Sequence, residues 1–297
     1  MKEDRNGNPG YGRDRIRTCA LLVAVSVLVA TTGCVGGGNA SVGADINPNT
    51  ESAETNQTGD ELIGATLNAT DDTETYRIDS ETRMDLASLF GVSMVMDTTG
   101  EFDESRNLAH ASTDGNVTVG LLGFSGGEGF ETEVYQGSER RYTKKSNESV
   151  AGDWKATEAG TPLPPGLEDL SGTIEGADAT FEGVAEVDGT DAYVLSLDIP
   201  ASSLGEAFSR TTETHGPSDF GESDEGGEAP EDAVDASEAY LWVDRETHRP
   251  LRFAYIANLD IEADEDSDFS GSMEFITDTR YRYVEEVEIV IPEEVDG

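Results

Sequence analysis

Thr75-Tyr-Arg-Ile-Asp-Ser-Glu-Thr-Arg-Met-Asp-Leu86 alternates apolar and polar side chains along most of its length. Tyr76, Ile78, Met84 and Leu86 point one way; Arg77, Asp79, Glu81, Arg83 and Asp85 point the other. Successive side chains of a strand project to opposite faces, so this stretch reads as a strand with one buried and one wet face. That is the pattern of an antiparallel sheet.

Working outward, the spacing predicts further strands at Ser93–Asp103, Asn107–Thr113, Asn116–Phe124, Glu131–Gln136 and Arg140–Lys145. Asp114-Gly115 and the Gly126–Gly129 run read as the turns between them. Trp154 follows in Gly152-Asp-Trp154. Two more strands, Ala179–Glu186 and Asp191–Ile199, flank Val187-Asp-Gly189. The C-terminal section reads as Ala239–Asp244, Leu251–Ile261, Ser270–Val284 and a closing Val287-Glu-Ile-Val-Ile-Pro292. Short amphipathic helices are predicted at Asp60–Ala69, Leu163–Glu175 and Ser203–Thr212. Pro165 suits a first turn, and Ser203 with Glu206 has the capping-box spacing. The sum is a mainly β (α+β) chain of about ten or eleven antiparallel strands with two or three short helices on its single apolar face.

Arg13, Arg15 and Arg17 precede an apolar run, Ala20–Ala30, and then Thr31-Thr-Gly-Cys34. A basic region, a short apolar core and small residues form a secretory signal. A cysteine placed there is similar to a lipoprotein signal, which implies cleavage after residue 33 and lipid on Cys34. The alternative is an uncleaved anchor, although the apolar core is shorter than the ~20 residues of a spanning helix. Both put the rest of the chain on the extracytoplasmic face of the membrane. Residues 34–58 are rich in Gly, Asn, Ser and Thr and read as a flexible tether with a reach of roughly 25–30 Å. The domain proper is 59–297. Residues 216–238, with nine acidic and no basic side chains, read as a disordered insertion.

The chain of 297 residues carries 19 basic and 62 acidic side chains, a formal net charge of −43. Five of the basic and three of the acidic residues precede Cys34, so the exported part has 14 against 59. Its only lysines are Lys144, Lys145 and Lys155. This composition resembles that of proteins from extreme halophiles. At 1 M salt the Debye length is ~3 Å, and such a surface repels itself far less than in dilute buffer. Nucleic acid is excluded as a partner, because no basic patch exists to neutralise phosphate. The second cysteine, Cys19, lies in the leader. A lipidated Cys34 therefore leaves no thiol for a disulfide, a nucleophile or a thiolate metal site.

Three stretches carry a family resemblance: Glu133-Val-Tyr-Gln-Gly-Ser-Glu-Arg-Arg-Tyr142 with Gly152-Asp-Trp154, Tyr240-Leu-Trp-Val-Asp-Arg-Glu-Thr-His-Arg-Pro-Leu-Arg252, and Val287–Pro292. In that order they resemble the LolA/LolB-type lipoprotein carriers, including the LppX/LprG group. The resemblance implies a curved, unclosed antiparallel barrel wrapped around helices, with lipid in the apolar hollow between them. It implies no cofactor and carries no short ligand signature. The acidic insertion departs from the family pattern. The inward-facing residues that would line such a hollow are Tyr76, Ile78, Met84, Leu167, Leu170, Phe208, Phe253, Tyr255, Met273, Phe275 and Tyr281. An archaeal ligand would be an isoprenoid lipid. The alternative is a cell-surface sensor or interaction module whose partner is an envelope protein and whose core is simply filled.

Catalytic patterns are weak. Gly123-Phe-Ser125-Gly-Gly127 has G-x-S-x-G spacing, but a strand follows where a nucleophile elbow needs a helix, so a glycine-rich hairpin loop is the reading. His110, His215 and His248 lack metal-ligand spacing and read as surface residues. Asp264-Glu-Asp266-Ser-Asp268 lacks the Gly and the final acid of a calcium loop, and reads as an acidic turn. No enzyme and no metal site is expected. N-x-[ST] acceptors occur at Asn39, Asn56, Asn68, Asn116 and Asn147, of which Asn39 and Asn56 fall in the tether.

Overall fold

The Thr75–Leu86 alternation forms β1 (Thr75–Ala87), which pairs antiparallel with β2 (Val92–Asp103) on one side and β11 (Gly271–Tyr283) on the other. A computed structural model of the chain describes residues 46, 48, 50–87, 91–121, 124–147, 149–159, 163–217, 234–261, 271–292 and 295. The other strands are β3 (Leu108–Leu121), β4 (Phe124–Gln136), β5 (Arg140–Asn147), β6 (Trp154–Glu158), β7 (Asp178–Val187), β8 (Thr190–Asp198), β9 (Val234–Asp244) and β10 (Pro250–Ile261). They make one antiparallel sheet in the order β6-β5-β4-β3-β2-β1-β11-β10-β9-β8-β7. The sheet does not close: β6 and β7 are its two ends.

Among the described residues the α-helices are α1 (Gly59–Asp71), α2 (Leu167–Ile174) and α3 (Ala201–His215). Their apolar stripes meet the inner face of the sheet. Leu62 and Ile63 of α1, Leu167, Leu170 and Ile174 of α2, and Leu204 of α3 join one cluster with Ile78, Met96, Leu241 and Phe275 of the strands. The connection through α2 carries the chain from one end of the sheet to the other.

Several local expectations change. Asp114-Gly115 is no turn; it lies within β3, and a Cβ on Gly115 would collide with the ring of Phe130 on β4. Close approach of a neighbour, rather than a reversal of the chain, requires glycine there. The Gly126–Gly129 run is likewise part of β4. Trp154 opens β6, a strand not expected there. Helix α2 begins at Leu167 with Gly166 as its N-cap, so Pro165 precedes the helix. Helix α3 begins at Ala201 after Pro200, with no side-chain cap, so Ser203 and Glu206 do not form the expected box. The capping box belongs to α1, where Thr58 and Glu61 exchange both bonds. Strand β9 starts at Val234, inside the expected insertion; residues 218–233 lie outside the described residues, as do Asp264–Asp268.

The outer face is not uniformly wet. Ile46, expected in the tether, is 2% exposed and packs with Ala192, Val194, Trp242, Ala254 and Ile276. Glu51 makes an antiparallel bridge to Val184 of β7. Gly183, at φ +148°, leaves the space that the Glu51 carbonyl fills. Ile46 and Glu51 thus mark a strap held against the outer face of the sheet within the expected tether. At the other end of the sheet, Val287, Ile289 and Val295 cover Tyr135 and Tyr142.

Candidate functional site

Strand register decides what the concave face presents. The eleven residues expected to line a hollow lie in or against one apolar cluster between helices and sheet. Tyr76, Ile78, Met84, Leu167, Leu170, Phe253, Tyr255, Phe275 and Tyr281 are buried in one cluster, and Phe208 and Met273 pack partly buried against it. Tyr76 stacks on Phe102 at 4.6 Å, and Phe208 meets Phe275 edge-on at 5.0 Å.

A row of hydroxyls crosses this apolar face, and counting only apolar positions misses it. Thr132, Thr113, Thr98, Ser80 and Thr279 are cross-strand partners in succession over β4, β3, β2, β1 and β11. All five are buried. Thr98 and Thr113 share a hydrogen bond of 2.8 Å, as do Ser80 and Thr279; Thr82 and Thr277 share one of 3.3 Å. The signal was present: Ser80 and Thr82 fall in the inward register between Ile78 and Met84. Paired hydroxyls satisfy one another, which lets them sit in a core at little cost.

Two charged or titratable groups join this interior. Asp169 of α2 accepts from Arg210 Nε of α3 at 2.7 Å. Burial pushes the Asp169 carboxyl above its ordinary range, against the pull of Arg210. Burial, and then the Asp169 charge, push the Tyr255 and Tyr281 phenols up. His215, expected at the surface, is 1% exposed. Its Nδ1 lies 2.8 Å from the Thr113 hydroxyl and its Nε2 2.6 Å from the Pro164 carbonyl. A carbonyl only accepts, so Nε2 carries the proton and Nδ1 accepts from Thr113. Thr132 donates to the His215 carbonyl at 3.2 Å. Burial lowers the His215 pKa to about 4, which keeps the ring neutral. His110 is half-buried and stacks on Tyr135 at 4.3 Å; His248 sits in a turn at φ +59°.

A cavity of about 220 Å³ opens at one end of the cluster. Tyr76, Phe102, Ala109 and Leu163 form its apolar side, and Glu104, Asn107, Gln136, Ser138 and Glu168 its polar rim. The Tyr76 hydroxyl donates to Glu104 at 2.9 Å and accepts from the Leu167 amide at 2.9 Å. Burial raises the Glu104 pKa, and the nearby Glu168 charge adds to the rise. A second cavity of about 360 Å³ is bordered by Asp79, Glu81, Asp97, Asp278, Arg280 and Arg282. Neither has the wholly apolar lining of an acyl-chain tunnel.

Ser125 lies in β4, paired with Gly120 of β3, so its G-x-S-x-G spacing forms no elbow. Among the described residues, no group of three or more His, Cys, Asp or Glu is placed to hold a metal. Asn56, Asn68, Asn116 and Asn147 are exposed; Cys34 and Asn39 lie outside the described residues.

No protein-family model and no curated protein matches the sequence. Among solved structures, the lipoprotein LppX of Mycobacterium tuberculosis aligns at 15% identity over 77% of this chain and 96% of that one, with a TM-score of 0.34. A LolA superfamily protein of Nitrosomonas europaea aligns at 9% identity over 78% of this chain and 96% of that one, with a TM-score of 0.24. A DUF1329 family protein of Desulfovibrio piger aligns at 11% identity over 78% and 95%, with a TM-score of 0.26. These names include the group that the three sequence stretches resemble. TM-scores this low leave the functional reading to rest on the chain's own geometry.

Proposed function

We propose that this chain is an extracytoplasmic lipoprotein, anchored through Cys34, that binds an apolar isoprenoid lipid between its helices and its sheet. The observation that supports this reading is the continuous apolar cluster joining all three helices to the concave face, with a cavity at its end. Binding is non-covalent, driven by apolar area removed from water at about 25 cal/mol per Å². No catalytic step is part of the proposal. Exposed Asn56 and the tether residue Asn39 are its proposed glycan acceptors.

The closed state of that same cluster favours a second reading. Its buried residues are at most 6% exposed, so a ligand enters only if helices move away from the sheet. A filled core would instead belong to a surface module that recognises an envelope protein. Native mass spectrometry with lipid extraction, on the chain purified in molar salt from a halophilic host, separates the two. A stoichiometric isoprenoid is the expected result. A folded chain that stays empty after incubation with membrane lipids overturns ligand binding and leaves the surface module.

A further inference from the structure

The two edges of the open sheet are finished differently. At the β7 edge the Glu51 amide donates to the Val184 carbonyl at 2.8 Å, and the Val184 amide donates to the Glu51 carbonyl at 3.0 Å. The β6 edge has no such cover among the described residues. Which of its groups are left over follows from the ladder. The Ala159 amide donates to the Glu139 carbonyl at 3.1 Å, one step beyond the Arg140–Glu158 pair. Bonded and non-bonded pairs alternate along an antiparallel ladder, so Arg141–Thr157 and Thr143–Lys155 are the bonded pairs. The amides and carbonyls of Trp154, Ala156 and Glu158 therefore point away from β5. Trp154 is half-buried and Lys155, Ala156, Thr157 and Glu158 are exposed, so this edge is open to solvent.

Charge is distributed just as unevenly. After Cys34 the chain holds 14 basic residues, and five of them stand on the β5–β6 hairpin: Arg140, Arg141, Lys144, Lys145 and Lys155. All three lysines are among them. From residue 140 to residue 158 the sequence has five basic and three acidic side chains; the rest of the chain after Cys34 has nine against 56. We infer that the β6 edge is a docking strand for an extended, acidic segment of a partner protein, which adds a further strand to the sheet. Main-chain hydrogen bonds to Trp154, Ala156 and Glu158 hold that segment, and side chains select it.

Register sets the selection. Lys155 and Thr157 share a face with Arg141 and Lys145. Arg141 Nε donates to the Gln136 side chain at 2.9 Å and Lys145 Nζ to the Glu213 carbonyl at 2.8 Å, which fixes both cations on that face. Acids at alternate positions of the guest meet Lys155 first and these two behind it. Trp154 and Ala156 lie on the opposite face and take apolar side chains, with Lys144 Nζ 5.6 Å from the centre of the Trp154 ring. In molar salt only contact-range pairs escape screening, so charge selects a guest on the edge rather than steering it there. A second copy of this chain is the poorer occupant, because its own β6 brings the same five cations to the contact. The proposal stands apart from lipid binding, since neither β5 nor β6 contributes to the apolar cluster under the helices.

The test adds two short blocked peptides to the full chain in molar salt, one alternating Glu and Val, the other Lys and Val. Binding is read by amide hydrogen exchange. The Glu-Val peptide should slow exchange at Trp154, Ala156 and Glu158 by roughly tenfold or more, and the Lys-Val peptide should leave them unchanged. Ala156→Pro removes an outward amide and spares the ladder to β5. It should abolish the protection while the β5 amides exchange as before. Lys155→Glu should weaken the Glu-Val peptide severalfold. Equal protection by both peptides overturns the acidic partner. Protection that survives Ala156→Pro, or none at millimolar peptide, overturns the docking strand. Protection that grows with protein concentration in the absence of peptide assigns the edge to a second copy and overturns the proposal. Should Ala156→Pro loosen β5 as well, the two peptides and Lys155→Glu still decide.

Discussion

The two faces of the sheet are covered in different ways. The concave face is closed by internal segments, α1, α2 and α3, each held in the chain at both ends. The convex face is covered by segments that flank the sheet and helices in sequence: Ile46 and Glu51 over β7–β10, and Val287, Ile289 and Val295 over β3–β5. Between these straps the convex face is a ladder of charge, with Arg77–Glu101 at 2.8 Å, Asp79–Arg282 at 2.9 Å and a two-point Arg252–Asp278 contact at 2.8 Å each. Cover supplied from inside the chain is coupled to global folding. Cover supplied by a flanking segment outside the helices and the sheet can peel away on its own.

The largest test of that contrast is Phe275→Ala. Phe275 is fully buried and touches Phe208 and Tyr255, so truncation removes contacts to helix and sheet together. A loss of about 4 kcal/mol is expected. It should appear in a denaturant titration as a lower midpoint with an unchanged slope, because the whole domain unfolds as one unit.

A second test uses acid. His215 titrates near 4 in the folded chain, against about 6.5 when unfolded. Between those values only the unfolded state takes up the proton, so stability contributed above pH 6.5 is lost progressively down to pH 4. The full loss is about 3 kcal/mol. The raised carboxyl of Asp169 works in the opposite sense, since it takes its proton more readily when folded. Denaturant midpoints between pH 7 and pH 4 should therefore fall more steeply in the native chain than in His215→Gln. Equal slopes would show that the concave face does not depend on a neutral histidine.

Much of the concave face was legible in the sequence, because an apolar residue at every second position has only one face to bury. Tyr76, Ile78 and Met84 gave that face for β1, and Met273, Phe275 and Tyr281 gave it for β11. The hydroxyl row was not legible by the same rule. Thr and Ser are common on wet faces, and only the register across five strands shows that they pair with one another. His215 was hidden for a related reason: its partners, Thr113 and Pro164, stand 102 and 51 residues away. The strap was missed because a single apolar residue, Ile46, carries it through polar sequence. Gly115 was read as a turn because glycine marks both a reversal and a close approach, and only Phe130 across the ladder distinguishes them.

Ile46→Ala examines the convex side. Its side chain is as buried as much of the core, yet only the strap depends on it. A cost of about 2 kcal/mol is expected, at the low end for a buried Ile-to-Ala change because the strap can relax. The change should be local. The Val184 amide, which donates to the Glu51 carbonyl at 3.0 Å, should exchange faster while β1 and β11 keep their protection. Slowed folding or a uniform loss would place the strap in the main cooperative unit and erase the distinction between the two kinds of cover.

Thr58→Ala is the smallest and finest test, because Thr58 stands where the strap becomes α1. Its backbone amide donates to Glu61 at 2.8 Å, and its hydroxyl accepts from the Glu61 amide at 3.2 Å. Alanine removes the second bond and leaves an unpaired helical amide, at a cost of about 1 kcal/mol; serine should restore it. The location of the loss is more informative than its size. If only the first turn of α1 exchanges faster, the strap and the helix are separate units, and the boundary between flanking and internal cover falls at residue 58. If Val184 also loses protection, the cap transmits order from α1 into the strap. The strap then holds to the convex face through the same helix that packs against the concave one.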